Sequence, residues 1–324
     1  MGQTWSQIKP PAPVFTEDDC PDLTGKVLMV TGGYSGVGFE LCQILYQHNG
    51  IVYIAGRSGS KGREAIESIK KKYPKSAGRL EFLLLDLDDL TTLKKSAKTF
   101  LAKEDRLDVL WNNAGVMMPP AGSKTKQGYE LQIGTNCLAP YLWTELLLPI
   151  MRKTVLTAPA NAVRIIFLGS FMTELYTPKG VINFKDINHE KGGKRPEIYA
   201  QSKIGNIYLA TEYAKRNEGD GILYISLNPG NLKSGLQRHA TLMESIQNKL
   251  ILHRTVLGAY TELVGGLSPN LTVETNAGDY LIPWGRVAVL KKEIAEGVKS
   301  KADGGTGLAE KFFDWCKLET QKYL

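Results

Sequence analysis

Tyr199 and Lys203, in the run IYAQSK, stand four residues apart in a helix-compatible stretch of this chain. That spacing puts a phenol and an ammonium on one helical face. A phenol with a pKa near its ordinary value of about 10 exchanges protons poorly at neutral pH, and an adjacent fixed cation favours the phenolate. The pair could therefore give or take a proton. The same spacing also occurs on solvated helices, so the rest of the chain has to decide between the two.

The elements that must position this pair follow a regular rhythm. From Leu23 onward, short apolar, β-branched runs (KVLMVT, IVYIA, LEFLLLD, LDVLWNN, AVRIIFLGS, ILYISLNPG) alternate with helical stretches, one of them a long helix around YELQIGTNCLAPYLWTELLLPIM. Strand and helix in alternation specify a parallel sheet covered on both faces, which predicts one doubly wound, Rossmann-type α/β domain of six or seven strands. Residues 1–22, with Pro10, Pro11, Pro13 and Pro21, read as an extended arm. The domain is expected over 23–285, with Tyr280 to Pro283 as a last edge strand. Between about 231 and 266 the rhythm loosens into a substrate lid, and 286–324 read as a C-terminal helical extension with a terminal helix over Glu310 to Gln321.

The first strand runs into Thr31-Gly32-Gly33-Tyr34-Ser35-Gly36-Val37-Gly38 and then a helix. Glycines at that junction allow a tight turn and the approach of a pyrophosphate to free N–H groups at the helix N-terminus, so a dinucleotide is the expected ligand, held at Gly32, Ser35, Gly36, Val37 and Gly38. The second strand ends Ala55-Gly56-Arg57-Ser58. An NAD-selective site usually offers the ribose diol a carboxylate there. The guanidinium of Arg57, with Ser58 and Lys61 nearby, instead suits a 2′-phosphate and points to NADP(H).

The net charge of +7 comes from scattered basic residues and describes a solvated surface, with no nucleic acid expected as partner. Four cysteines form no CxxC pair and four histidines show no metal-ligand spacing, which implies a reduced, cytoplasmic setting without structural metal. The strongest apolar run, Leu138 to Met151, is interrupted by Glu145 and two prolines, so no transmembrane segment is expected. The opening MGQTWS fits the acceptor pattern for myristoylation, with Gly2 and Ser6 in register.

TGGYSGVG, the NNAG of Asn112 to Gly115, Asn136, Ser170, YAQSK and the NPG of Asn228 to Gly230 occur in this chain in the order of the short-chain dehydrogenase/reductase family. The resemblance spans about 23–285. It is strongest toward the retinol-dehydrogenase-like branch and the fungal light-inducible alcohol dehydrogenase-like members, which carry tails similar to LNPGNLKSGLQRH and GGTGLAEKFFDW. That branch interconverts apolar alcohols with aldehydes and ketones. The resemblance implies a tetrad in which Tyr199 is the acid/base, Lys203 lowers its pKa and holds the nicotinamide ribose, and Ser170 orients the carbonyl. Asn136 would break its helix and hold a water linking Lys203 to solvent. It further implies Asp86 at the adenine and Asn113 on the adenosine side of the cofactor. Asn112 has a duller reading beside it, as a structural brace of the central sheet.

Two departures stand out. Ser234 replaces the threonine usual in the PGxxxT motif that binds the cofactor amide, and Gly169 precedes Ser170 where a serine is commoner. The insertion PKGVINFKDINHEKGGKRP before Tyr199 is expected to cap one side of the substrate cleft. These readings converge on an NADP(H)-dependent oxidoreductase acting on a small apolar carbonyl or alcohol. A non-redox isomerase or epimerase using bound NADP(H) and a non-catalytic NADPH sensor are the alternatives. A sheet edge or the lid could carry a homodimer contact.

Overall fold

A computed structural model describes residues 2–233 and 252–324. Its centre is one eight-stranded sheet in the order β3-β2-β1-β4-β5-β6-β7-β8. The first six strands are β1 (Val27–Thr31), β2 (Ile51–Gly56), β3 (Arg79–Leu84), β4 (Val109–Asn112), β5 (Arg164–Leu168) and β6 (Leu223–Leu227). Every residue of β1, β4, β5 and β6 is buried, as a strand covered on both faces must be, which is why these runs read as continuous apolar segments. Met29 of β1 pairs with Tyr53 of β2 on one side and with Leu110 of β4 on the other, so the strand order reverses at β1. In such sheets the crevice beyond the carboxyl ends at the reversal is where ligands bind.

One face carries α2 (Gly36–Gln47) and α3 (Gly59–Lys72); the other carries α4 (Leu90–Leu101) and a helix that begins as α5 (Leu131–Ile133), passes through a π-turn (Gly134–Leu138) and continues as α6 (Ala139–Val155). After β5 come α7 (Met172–Leu175) and α8 (Arg195–Arg216). After the glycine-containing turn that follows β6 come α9 (Thr255–Leu267), the short α10 (Val273–Asn276), β7 (Tyr280–Ile282) and β8 (Arg286–Ala288). The chain ends in α11 (Lys292–Val298) and α12 (Leu308–Thr320). No helix among the described residues is long and apolar enough to cross a membrane.

The structure departs from the sequence reading in three places. The sheet has eight strands, because the chain turns after Ile282 and lays β8 antiparallel on β7 (Leu281 opposite Val287); the segment expected as a C-terminal helical extension thus begins as an edge strand. Residues Gly2–Ile8 form a helix, α1, where an extended arm was expected. The prolines at 10, 11 and 13 act only downstream, since a proline restricts its predecessor and ends the helix without preventing it. Finally, the expected lid does not reach 266. α9 lies against α2 and the sheet with Ala259, Leu263 and Val264 in the core, and it approaches so closely that a β-carbon on Gly266 would sit 2.0 Å from Cζ2 of Trp111. Residues 234–251 of that segment lie outside the described residues.

Candidate active site

Tyr199 and Lys203 lie on α8, whose side chains are buried without a break from Tyr199 to Tyr213. Proline in its first turn supplies the preset φ of a helix start. The solvated-helix reading of the pair is excluded, since Tyr199 is 5% and Lys203 4% exposed. The Tyr199 hydroxyl is hydrogen-bonded to the side chain of Ser170, just past the end of β5. Lys203 Nζ donates to the carbonyl of Leu168, 3.0 Å away, and lies 5.9 Å from the centre of the Tyr199 ring. Asn206, three residues on, donates to the same carbonyl at 2.7 Å.

Asn136 sits in the π-turn, so the helix is interrupted at the residue where the family resemblance implied it. Its side chain is committed to structure: Oδ1 accepts from Val116 N–H at 2.8 Å, and Nδ2 donates to Val116 O at 3.0 Å and Ser202 Oγ at 2.9 Å. These bonds hold the chain at 115–116 beside the ammonium. A β-carbon added to Gly115 would lie 3.1 Å from Asn136 Oδ1 and 3.3 Å from Lys203 Nζ. The strand end, the π-turn and α8 therefore meet around Lys203.

Burial dominates the electrostatics. It pushes the Tyr199 phenol up to about 12, opposed by the Ser170 hydrogen bond, and brings Lys203 down to about 8, opposed by Cys137 and Glu262. The expectation that Lys203 pulls the phenol down is not met, because desolvation of Tyr199 outweighs the attraction. At neutral pH Tyr199 holds its proton and Lys203 its charge.

At the glycine-rich turn, Asn113 Nδ2 donates to Thr31 O at 2.6 Å, and a β-carbon on Gly38 would come within 2.5 Å of that nitrogen. Asn113 thus buttresses the turn from beneath. Asn112 donates to Thr144 Oγ1 at 3.2 Å inside the core, a bracing contact. Gly32 and Gly36 have φ of +70° and +58°, which glycine alone adopts at no steric cost. The hydroxyl of Ser35, the N-cap of α2, makes no capping bond, so the first N–H groups of that 12-residue helix keep their capacity for an anion. Val37 lies in the first turn of α2, against α9.

Arg57 and Lys61 are exposed at the carboxyl end of β2, and Ser58 caps α3 by accepting from Lys61 N–H at 3.5 Å. Asp86 accepts from Asp88 N–H at 3.1 Å, and Asp88 feels burial first, then Asp86, then the opposing charge of Arg57. Arg57 and Asp86 therefore belong to one corner of the molecule. Ser234 falls outside the described residues.

Sequence reasoning overlooked three polar residues around this centre. Tyr280 donates its hydroxyl to Ser170 O at 3.3 Å, and Gly169 leaves room for that ring, since a β-carbon there would meet Tyr280 Cε2 at 3.1 Å. A serine at 169 would crowd it. Asn206 was findable, one helical turn from Lys203. Glu262, on the inner face of α9, is fully buried, and neither carboxyl oxygen has a hydrogen-bond partner among the described residues.

The short chain dehydrogenase family model matches residues 26–245. A short-chain dehydrogenase/reductase of Phomopsis amygdali is 41% identical, the match covering 100% of this chain and 98% of the relative. A second one, from Emericella nidulans, is 41% identical over 96% of this chain and 98% of its own length. Among solved structures, the NADPH-bound carbonyl reductase from chicken fatty liver superposes with a TM-score of 0.61 at 22% identity, covering 83% of this chain and 100% of that one. The chain belongs to the short-chain dehydrogenase/reductase family. It is an oxidoreductase.

Proposed function

We propose that this protein interconverts a carbonyl and an alcohol on an apolar small molecule, drawing on NADP(H), with Tyr199 as the acid/base. The observation that carries the reading is the buried meeting of the Tyr199 phenol, the Ser170 hydroxyl and the Lys203 ammonium. Ser170 and Tyr199 together present two hydroxyls to one oxygen. Tyr199, still protonated at neutral pH, is set up to donate to that oxygen as it gains charge. The phenolate left behind lies beside the Lys203 cation, which stabilises it, and Lys203 is held in place by Leu168 O. The protonated resting phenol favours the direction of reduction.

The chain's polar groups fit a phosphorylated dinucleotide. The open amides at the start of α2 suit its pyrophosphate, and the turn over Gly32, Ser35, Gly36, Val37 and Gly38 lets it approach, with Asn113 fixing the turn. Arg57, Ser58 and Lys61 would read a 2′-phosphate, Asp86 would meet the adenine, and Lys203 and Ser234 would hold the nicotinamide end. When bound, the cofactor supplies or accepts the hydride. The carbonyl reductase that shares the fold is NADPH-bound, which supports the choice.

Tyr199→Phe tests the assignment. It is expected to lower turnover of a carbonyl by about 100-fold or more, the lower range for losing a general acid, while NADPH binding stays near that of the unaltered protein. Unchanged turnover would remove Tyr199 from the mechanism.

A further inference from the structure

Helix α1 lies between the NPG turn after β6 and helix α7, the helix that follows Ser170. Only one of its side chains is fully buried, and that one is polar: Gln7. Its Oε1 accepts from Nδ2 of Asn228, 221 residues on in the NPG turn, at 2.9 Å. Asn228 in turn accepts the N–H of Gly230 at 2.9 Å and so shapes that turn. At its other end, Gln7 Nε2 lies against the carboxyl of Glu174 on α7, without ideal hydrogen-bond geometry to any partner among the described residues.

α7 is the helix that follows Ser170. Met172 N–H donates to Ser170 Oγ at 3.2 Å and Thr173 Oγ1 to Ser170 O at 2.7 Å, so the hydroxyl of Ser170 is aimed by the first turn of α7. α1 is fastened on its other sides as well. Arg286 donates to Ser6 O at 2.8 Å, Gln3 exchanges two hydrogen bonds with Val289, and the His253 ring is bonded to Ile8 O at 3.0 Å. A glutamine amide with zero exposure is costly to bury unless both its ends do something. Here one end holds the NPG turn, and the other, without a hydrogen-bond partner of good geometry, faces the carboxyl of Glu174 on the helix that aims Ser170.

We propose that Gln7 is a positioning residue of the reaction centre, linking the NPG turn to the helix that orients Ser170. The inference rests on the reading of Ser170 as the group that orients the carbonyl. Its two outer contacts have different chemistry. Asn228 needs an acceptor at position 7, whereas Glu174 needs a donor. Gln7→Glu keeps the first and spoils the second by setting two carboxyls face to face. Burial raises the Glu174 carboxyl above its ordinary value, the Gln7 amide and Lys291 opposing, and Tyr280 is the further titratable group near it.

The test compares Gln7→Ala and Gln7→Glu with the unaltered protein. In Gln7→Ala, backbone amides of residues 172–176 are expected to exchange with solvent about tenfold faster, with those of α8 unchanged as the control for global unfolding. kcat/KM for a reducible ketone is expected to fall about tenfold, mostly in kcat, while the NADPH Kd stays within about twofold. In Gln7→Glu the loss is expected at pH 8, where both carboxyls ionise. Activity should return toward that of the unaltered protein near pH 5.5, where one proton lets the pair hydrogen-bond. Unaltered exchange at 172–176 in Gln7→Ala, or a Gln7→Glu pH profile parallel to that of the unaltered protein, would overturn the proposal. The exchange measurement needs no turnover, so an unaltered protein that reduces no carbonyl would count against carbonyl reduction and leave the bridge to be judged on exchange alone.

Discussion

The stability of a Glu262→Gln variant relative to the unaltered protein should rise as the pH rises. Glu262 is fully buried on α9, both oxygens lack partners among the described residues, and burial raises its carboxyl from 4.5 to about 8, with the Lys203 charge opposing. The folded state therefore keeps a proton that the unfolded chain has released at any pH between those values. Stability must fall as pH rises through that window, by about 1.36 kcal/mol per pH unit where the difference is a full proton. Between pH 5.5 and 8 the loss comes to about 3 kcal/mol for this wholly enclosed group. Glutamine does not titrate. The stability of Glu262→Gln relative to the unaltered protein should therefore grow by about 3 kcal/mol over the same interval, whatever the two differ by at pH 5.5. Urea unfolding of both proteins at the two pH values measures this through the midpoint, provided the slopes agree. A difference that is the same at pH 5.5 and pH 8 would mean that Glu262 titrates normally, and the account of its burial would be wrong.

Three further outcomes follow from the site and the core. Burial brings Lys203 down to about 8, so its charge is present below that pH and lost above it; carbonyl reduction should decline above pH 8, and Lys203→Met should lower the rate and abolish that limb in a kcat profile. Arg57→Asp should shift the ratio of kcat/KM for NADPH over NADH by about 10- to 150-fold toward NADH, the equivalent of roughly 1.5–3 kcal/mol for one lost charged hydrogen bond; an unchanged ratio would remove Arg57 as the phosphate reader. Gly266→Ala should cost about 1–3 kcal/mol in urea unfolding, because its methyl would overlap Trp111, whose Nε1 donates to Glu262 O at 2.9 Å and cannot swing away freely; full stability would show that α9 can shift outward.

The sheet was legible because its strands are buried on both faces. A run such as VLMVT has nowhere to expose a polar side chain, and Gly32 to Gly38 can only be a turn that ends in a helix. Tyr199 and Lys203 were legible because spacing along a helix is a local property, and Ser170 because its place in the order of motifs resembles that of the family. The features that escaped depend on contacts over long sequence distance. Tyr280 is 110 residues from the Ser170 carbonyl it meets, and Gln7 is 221 residues from Asn228. The same distance explains why the proline-marked N-terminus read as an arm. Its helix is held by Asn228, Arg286 and Val289, none of which the first 22 residues contain.

The sign of the Tyr199 shift was also beyond the sequence, and it alters how the pair works. Spacing alone supplies the attraction of an ammonium, which lowers a phenol's pKa; only the fold supplies the burial, which raises it. Burial wins, and the same burial weakens Lys203 as a cation. A phenol held near 12 is a poor base but a secure store for one proton. The attraction of Lys203 becomes decisive only once Tyr199 has given that proton up, because a buried phenolate has far more to gain from a neighbouring cation than a buried phenol does. On the proposed mechanism, Lys203 is therefore tuned to the product of proton transfer rather than to the resting state. Its replacement should consequently slow the step in which the phenolate forms, and leave the protonation of resting Tyr199 at neutral pH almost untouched.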